Sequence, residues 1–248
     1  MILDKIKPKF INKGNPRIGL ITLGSDFRIE KDFNNVIYRK NVDLFVNRIH
    51  CYNPLTNETL VKMADDITDV TKEILPGEKI DCVAYGCTSG TVAAGYEAIK
   101  KKINLAKPEA KVTTPITSAV KALKKMNIKN ISVFTPYTKS INQSVTEYFK
   151  KSGINVKALH YFDIATDIDI GKVDSNYLFE VLSHLNLNES EALFISCTAL
   201  PALDLIDELE KKLNKLVLSS NQTLIWESLK VVNNNERITG YGELFKKI

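Results

Sequence analysis

The chain has 248 residues, 44% hydrophobic and 25% charged, with 11 Gly, 8 Pro, 4 Cys and a formal net charge of +5. This composition excludes collagen-like, mucin-like and wholly disordered chains, and no apolar run approaches the ~20 residues of a membrane-spanning helix. The positive charge comes from 29 Lys against 5 Arg, dispersed in short clusters such as 100–102, 124–125 and 211–212. Solvated lysine of this kind lacks the bidentate arginines of duplex readers, so neither nucleic acid nor a membrane is expected as partner. Asp4, Lys5, Lys7 and Lys9 interrupt the stretch where a signal peptide keeps its apolar segment, which makes a cytoplasmic location the expectation.

In chain order, residues 17–23 (RIGLITL) form a buried strand that runs into the polar turn Gly24, Ser25, Asp26. Leu60, Met63, Ile67, Val70 and Ile74 step by three and four and mark one helix face, stopped by Pro76 and Gly77. Residues 81–86 form a second strand that enters Cys87, Thr88, Ser89 and Gly90, followed by a helix of small residues over 91–102. Residues 111–113 are a short strand before a helix ending near Met126. Strands alternating with helices predict an α/β fold of parallel βαβ units covered on both faces.

The order then recurs. A strand over 131–135 enters the polar turn Pro136, Tyr137, Thr138; one over 192–196 ends in Cys197, Thr198, Ala199; one over 215–218 enters Ser219, Ser220, Asn221 and a helix. From Ile18 to Ile131, Cys87 to Cys197 and Val112 to Val217 the separations are 113, 110 and 105 residues. Three ordered, near-constant offsets predict two pseudo-symmetric lobes, each a parallel sheet flanked by helices, with the active site in the cleft between them. The boundaries drawn are 1–116 plus 221–248 for the first lobe and 117–220 for the second. Ligands of open parallel sheets sit beyond the carboxyl ends of the strands, so Cys87 and Cys197 would both face that cleft.

A thiol at a strand end before a helix N-terminus is expected to have its thiolate favoured, and the N–H groups there can seat a carboxylate. Two such thiols on opposite faces of one carbon could act as nucleophile or base and as proton donor without a cofactor. Cys82, inside its strand, and Cys51 read as packing residues, as does Trp226. The three His lie at no metal-ligand spacing from a Cys, and no metal is expected. With no CxxC in the chain, a thiol redox protein is disfavoured. A small-ligand-binding regulatory protein on the same fold is the non-enzymatic alternative.

The motifs IGLITLGSD at 18–26, GCTSG at 86–90, FTPYTKSIN at 134–142, SCTALPALD at 196–204 and SSNQTLIW at 219–226 resemble the Asp/Glu racemase superfamily. The resemblance is greatest to its branch of maleate cis-trans isomerases and arylmalonate decarboxylases, and spans Arg17 to about Leu229. It implies an isomerase of a small unsaturated dicarboxylate, with Cys87 as nucleophile and Cys197 as acid/base. By the same resemblance Thr88, Ser89 and Tyr137 would hold a substrate carboxylate, while Thr198, Ser220 and Asn221 line the opposite side. A homodimer and a small carboxylate substrate are implied too. The arylmalonate-type decarboxylase, an alternative, lacks the first cysteine. A two-cysteine racemase of an acidic amino acid or related N–H compound is the other alternative. It is favoured by Asp26, which stands where maleate isomerases usually have Asn and is placed among the substrate-binding residues. Asp167 and Asp169 fall where the isomerases have another substrate-holding Asn.

Overall fold

The computed structural model describes residues 3–11, 14–187 and 189–247. The first sheet is built from β1 (Arg17–Leu23), β2 (Asp43–Ile49), β3 (Cys82–Gly86) and β4 (Lys111–Thr113). Between them run α1 (Ile29–Ile37), α2 (Asn57–Met63), α3 (Ile67–Lys72), α4 (Thr88–Ala94) and α5 (Tyr96–Ala106). After α6 (Pro115–Lys125) the second sheet is built from β5 (Asn130–Thr135), β6 (Asn155–Tyr161), β7 (Ala192–Ile195) and β8 (Leu216–Ser219). Its helices are α7 (Lys139–Lys151), α8 (Asp167–Gly171), α9 (Ser175–Ser183) and α10 (Ile206–Leu213), while α11 (Ser220–Val231), which follows β8, packs back against α6, β3 and α1.

Both sheets are wholly parallel, and their strand orders, β2-β1-β3-β4 and β6-β5-β7-β8, are the same order repeated. The expected α/β fold of two pseudo-symmetric lobes is therefore what the chain adopts. Central strands β3 and β7 are buried along their whole length, as near-continuous apolar runs in helix-covered parallel sheets must be. In each sheet the chain reverses direction of winding between two neighbouring strands, β1 and β3 in one and β5 and β7 in the other. These are the switch points where helices diverge and leave a crevice at the carboxyl ends of the strands.

Several sequence expectations differ in detail. Edge strands β2 and β6 have no counterpart in the sequence reading. Both are only partly buried, and Asn47, Arg48, Lys157 and His160 break up their apolar runs. The helix face from Leu60 to Ile74 is carried by α2, a 3-10 turn at Ala64–Asp66 and α3, so one apolar stripe spans a bent segment. The helix expected over 91–102 is split at Gly95, whose φ of +85° ends α4 and starts α5. Trp226 packs in the core as expected.

Candidate active site

Cys87 follows the last residue of β3 and is the N-cap of α4. Its Sγ accepts the Gly90 N–H at 3.2 Å and lies 3.8 Å from Ser89 Oγ. Gly90 is required for this approach, because a Cβ there would sit 2.8 Å from Cys87 Sγ and 2.9 Å from Tyr85 Oη. Cys197 follows β7 by two residues and adopts a φ of +104°, outside the region L side chains favour. Such strain, of order 1–3 kcal/mol, persists only where neighbours fix it. Here the Cys197 N–H donates to Ser220 Oγ at 3.0 Å, and Asn221 Nδ2 donates to Thr198 O at 2.8 Å.

The sequence pattern places a helix directly after each thiol. That holds for Cys87, but after Cys197 the chain turns through a 3-10 segment, Leu203–Leu205, before α10. Pro201 is the reason, since the residue before a proline is held out of helical geometry. Thiolate stabilisation is also outweighed. Cys87 and Cys197 are 3% and 6% exposed. Burial pushes the Cys87 thiol up to about 12, against the Gly90 N–H and the Ser89 hydroxyl, which pull it down. Burial likewise pushes Cys197 well up, helped by the charges of Asp167 and Asp26 and opposed by the Ala199 N–H and the Tyr137 hydroxyl.

Tyr137, which follows β5, is the second lobe's contribution at its switch point. Its buried hydroxyl accepts from Ser196 Oγ at 3.4 Å and lies within electrostatic reach of both thiols. Thr88, Ser220 and Thr198 tie the lobes together around them. Thr88 Oγ1 and Ser220 Oγ share a hydrogen bond of 2.8 Å, and Thr198 Oγ1 donates to Gly86 O at 3.2 Å. Asn221 Nδ2 also donates to Asp32 Oδ2 at 2.7 Å, while its Oδ1 is buried without a partner. The residues singled out in sequence are thus brought together, with Thr88, Thr198, Ser220 and Asn221 bonded to one another and to backbone across the cleft.

Asp26 ends the turn after β1, at the first lobe's switch point. Burial raises its carboxyl above the usual range, while the N–H groups of Arg28 and Ile29, the Thr198 hydroxyl and the Arg48 guanidinium oppose the rise. Two further acids border the same space. Burial raises Asp32 to about 7, against its bond from Asn221 and with the charges of Asp204 and Asp26 adding to the rise. Burial likewise raises Asp167 to about 6, against its bond from Ser25 Oγ, 2.6 Å long. Cys51, read from sequence as a packing residue, is half-buried beside Ser25 and Asp167, and burial raises its thiol to about 11. Tyr85 is wholly buried two residues before Cys87, its hydroxyl unpartnered. Strand alternation could have revealed it, because residues two apart share a face. Asp32 carries a signal of its own, as the one acid in the helical stripe Ile29, Phe33, Val36 and Ile37 on the buried face of α1.

The outer rim is closed by contacts between lobes. Leu55 N–H donates to Ala165 O at 2.8 Å, and Arg28 Nε and Nη2 donate to Gly171 O at 3.1 and 2.8 Å. Among the described residues no group of three or more His, Cys, Asp or Glu is arranged to hold a metal ion, and no helix is long and apolar enough to cross a membrane.

Comparison with known proteins extends this geometry. The family model described as arylmalonate decarboxylase matches residues 55–245. A maleate isomerase of Geobacillus stearothermophilus is 26% identical over 198 residues, covering 77% of this chain and 78% of that protein. The solved maleate isomerase Iso of Pseudomonas putida S16 superposes with a TM-score of 0.85 at 20% identity, over 93% of this chain and 98% of that one. A mutant of the Nocardia farcinica maleate cis-trans isomerase with a covalently bound succinylcysteine intermediate superposes with a TM-score of 0.86 at 18% identity. That superposition covers 94% of this chain and 99% of the other.

Proposed function

The chain belongs to the arylmalonate decarboxylase family, and from that premise we propose that it is a cofactor-independent cis-trans isomerase of a small unsaturated dicarboxylate. One observation carries the reading. Cys87 and Cys197 lie just beyond central strands of two different sheets, and the Thr88–Ser220 and Thr198–Gly86 hydrogen bonds hold those two strand ends against one another. A planar alkene between them would meet one sulfur on each face. Cys87 is the nucleophile and Cys197 the acid/base, with Ser89 and Tyr137 the donors nearest the thiols for a substrate carboxylate.

The cycle starts with Cys87 as thiolate and Cys197 as thiol. Cys87 Sγ forms a bond to one alkene carbon, and the π electrons move to the other carbon and its conjugated carboxylate. Cys197 gives its proton to that carbon, leaving a succinyl thioether and a Cys197 thiolate. The former double bond is now single and turns about its axis. Cys197 then removes a proton from the same carbon, the C–S bond breaks, and the trans acid leaves with the Cys87 thiolate and the Cys197 thiol restored. The Gly90 N–H and Ser89 hydroxyl that touch Cys87 Sγ stabilise its charge at the start and end of the cycle. The succinylcysteine named for the N. farcinica protein is the intermediate such a cycle passes through.

A cytoplasmic location and a homodimer belong to the same proposal. The test is incubation with maleate, and separately with L-aspartate and L-glutamate in deuterated water. Fumarate formation supports the isomerase. Deuterium at Cα of an amino acid without fumarate from maleate would replace it by a racemase.

A further inference from the structure

The two carboxylate oxygens of Asp26 face different surroundings. Oδ1 accepts the Arg28 and Ile29 N–H groups at 2.7 and 3.1 Å and so closes the turn that begins α1. Oδ2 has no hydrogen-bond partner, in a residue with no exposed surface. An unpaired carboxyl oxygen at that depth forfeits a hydrogen bond, and unsatisfied groups of this kind cluster where a bound molecule completes them.

Its position is that of a ligand-facing group. Asp26 sits at the carboxyl end of β1 beside the Thr198 hydroxyl, and its charge acts on Cys197 across the cleft. The neighbouring charges favour a donor over a second anion. Asp32 and Asp167 are both buried within electrostatic reach of Asp26. The nearest cations are already engaged: Arg28 donates to Gly171 O, and Arg48 to Leu23 O, Asp26 O and Glu30 Oε2. A carboxylate placed against Oδ2 would face three acidic side chains and no cation free of protein partners, whereas an N–H would find an open acceptor.

We propose that Asp26 Oδ2 accepts an N–H group of the substrate, so that the substrate is a cis-alkene with a carboxylate at one end and a primary carboxamide at the other. The inference rests on the isomerase reading, because an amide keeps a carbonyl conjugated with the double bond for Cys87 to add against, and an ammonium group does not. The Ser89 and Tyr137 hydroxyls are then left for the single carboxylate.

Saturated analogues test this without turnover. Binding of succinamate and succinate is measured by calorimetry on the wild type and on Asp26→Asn, whose side-chain carbonyl keeps the contacts to Arg28 and Ile29 and whose amide replaces Oδ2 by a donor. The expected result is that the wild type binds succinamate about tenfold or more tightly than succinate, and that Asp26→Asn reverses the order. Tighter wild-type binding of succinate, or an unchanged ratio in Asp26→Asn, overturns the proposal. If the variant does not fold, the wild-type ratio alone decides. Fumarate formation from maleate is read separately. A wild type that isomerises maleate and prefers succinate loses only the amide; one that isomerises neither maleate nor maleamate loses the isomerase reading and the amide with it.

Discussion

Gly90→Ala places a methyl group where three side chains converge. Its Cβ would lie 2.8 Å from Cys87 Sγ, 2.9 Å from Tyr85 Oη and 3.1 Å from Met63 Cε. Ordinary contact begins at 3.4 Å, so the sulfur must give way by about 0.6 Å. The Met63 methyl can rotate aside, but the Cys87 and Tyr85 side chains are buried on and just beyond β3 and have nowhere to go. Crowding of this kind costs about 1–3 kcal/mol. Displacing the sulfur also breaks its 3.2 Å bond from the Gly90 N–H, worth about 1 kcal/mol more. At roughly 2–4 °C per kcal/mol for a chain of this size, the melting temperature should fall by about 5–15 °C. Moving a reacting atom by a large fraction of an ångström should lower maleate turnover by about a hundredfold. Calorimetry and a fumarate assay on the purified variant check both. Wild-type melting with wild-type turnover would refute the claim that the Gly90 backbone fixes the sulfur.

Three other outcomes follow from the same contacts. Asp32 holds its proton to about 7 in the fold against 3.8 unfolded, so folding takes up a proton in that window and stability falls as pH rises through it, by on the order of 4 kcal/mol. Asp167, raised to about 6, acts in the same direction. The wild type should therefore melt higher near pH 5 than near pH 8, and Asp32→Asn should flatten that slope; a slope of opposite sign contradicts the burial argument. Ser220→Ala removes the acceptor of the Cys197 N–H and the partner of Thr88, and should cost about 1–3 kcal/mol in denaturant unfolding. Because burial raises the Cys87 thiol, kcat/KM for maleate should climb with pH from about 6 to about 9 as the thiolate fraction grows. A flat profile would mean that thiolate formation does not limit the reaction.

The parts of the molecule that form the candidate site are the most legible in sequence. Buried parallel strands are near-continuous apolar runs, so β1, β3, β5 and β7 stand out, and the polar turn that ends each one marks the cleft. Cys87, Cys197, Asp26 and Tyr137 all lie in those turns. Edge strands β2 and β6 escape because solvent lets polar residues interrupt them. The acidity of the thiols is not legible in sequence for a different reason. A helix N-terminus is a local feature, whereas the burial that overrides it comes from the other lobe closing over the site. Cys51 likewise reaches the cleft only through tertiary packing that has no period in the sequence, whereas Asp32 is legible as an acid in the apolar stripe of α1.

Cys197→Ser incubated with maleate tests the two-thiol account most directly. In this variant the serine hydroxyl or solvent supplies the proton that completes the addition, but no thiolate is there to take it back, so the adduct should persist. Intact-mass measurement should show a gain equal to one maleate, peptide mapping should locate it on Cys87, and the gain should vanish in the Cys87→Ala, Cys197→Ser double variant. Isomerisation of maleate by the wild type with no adduct in Cys197→Ser, or an adduct on Cys51 in place of Cys87, would contradict the account.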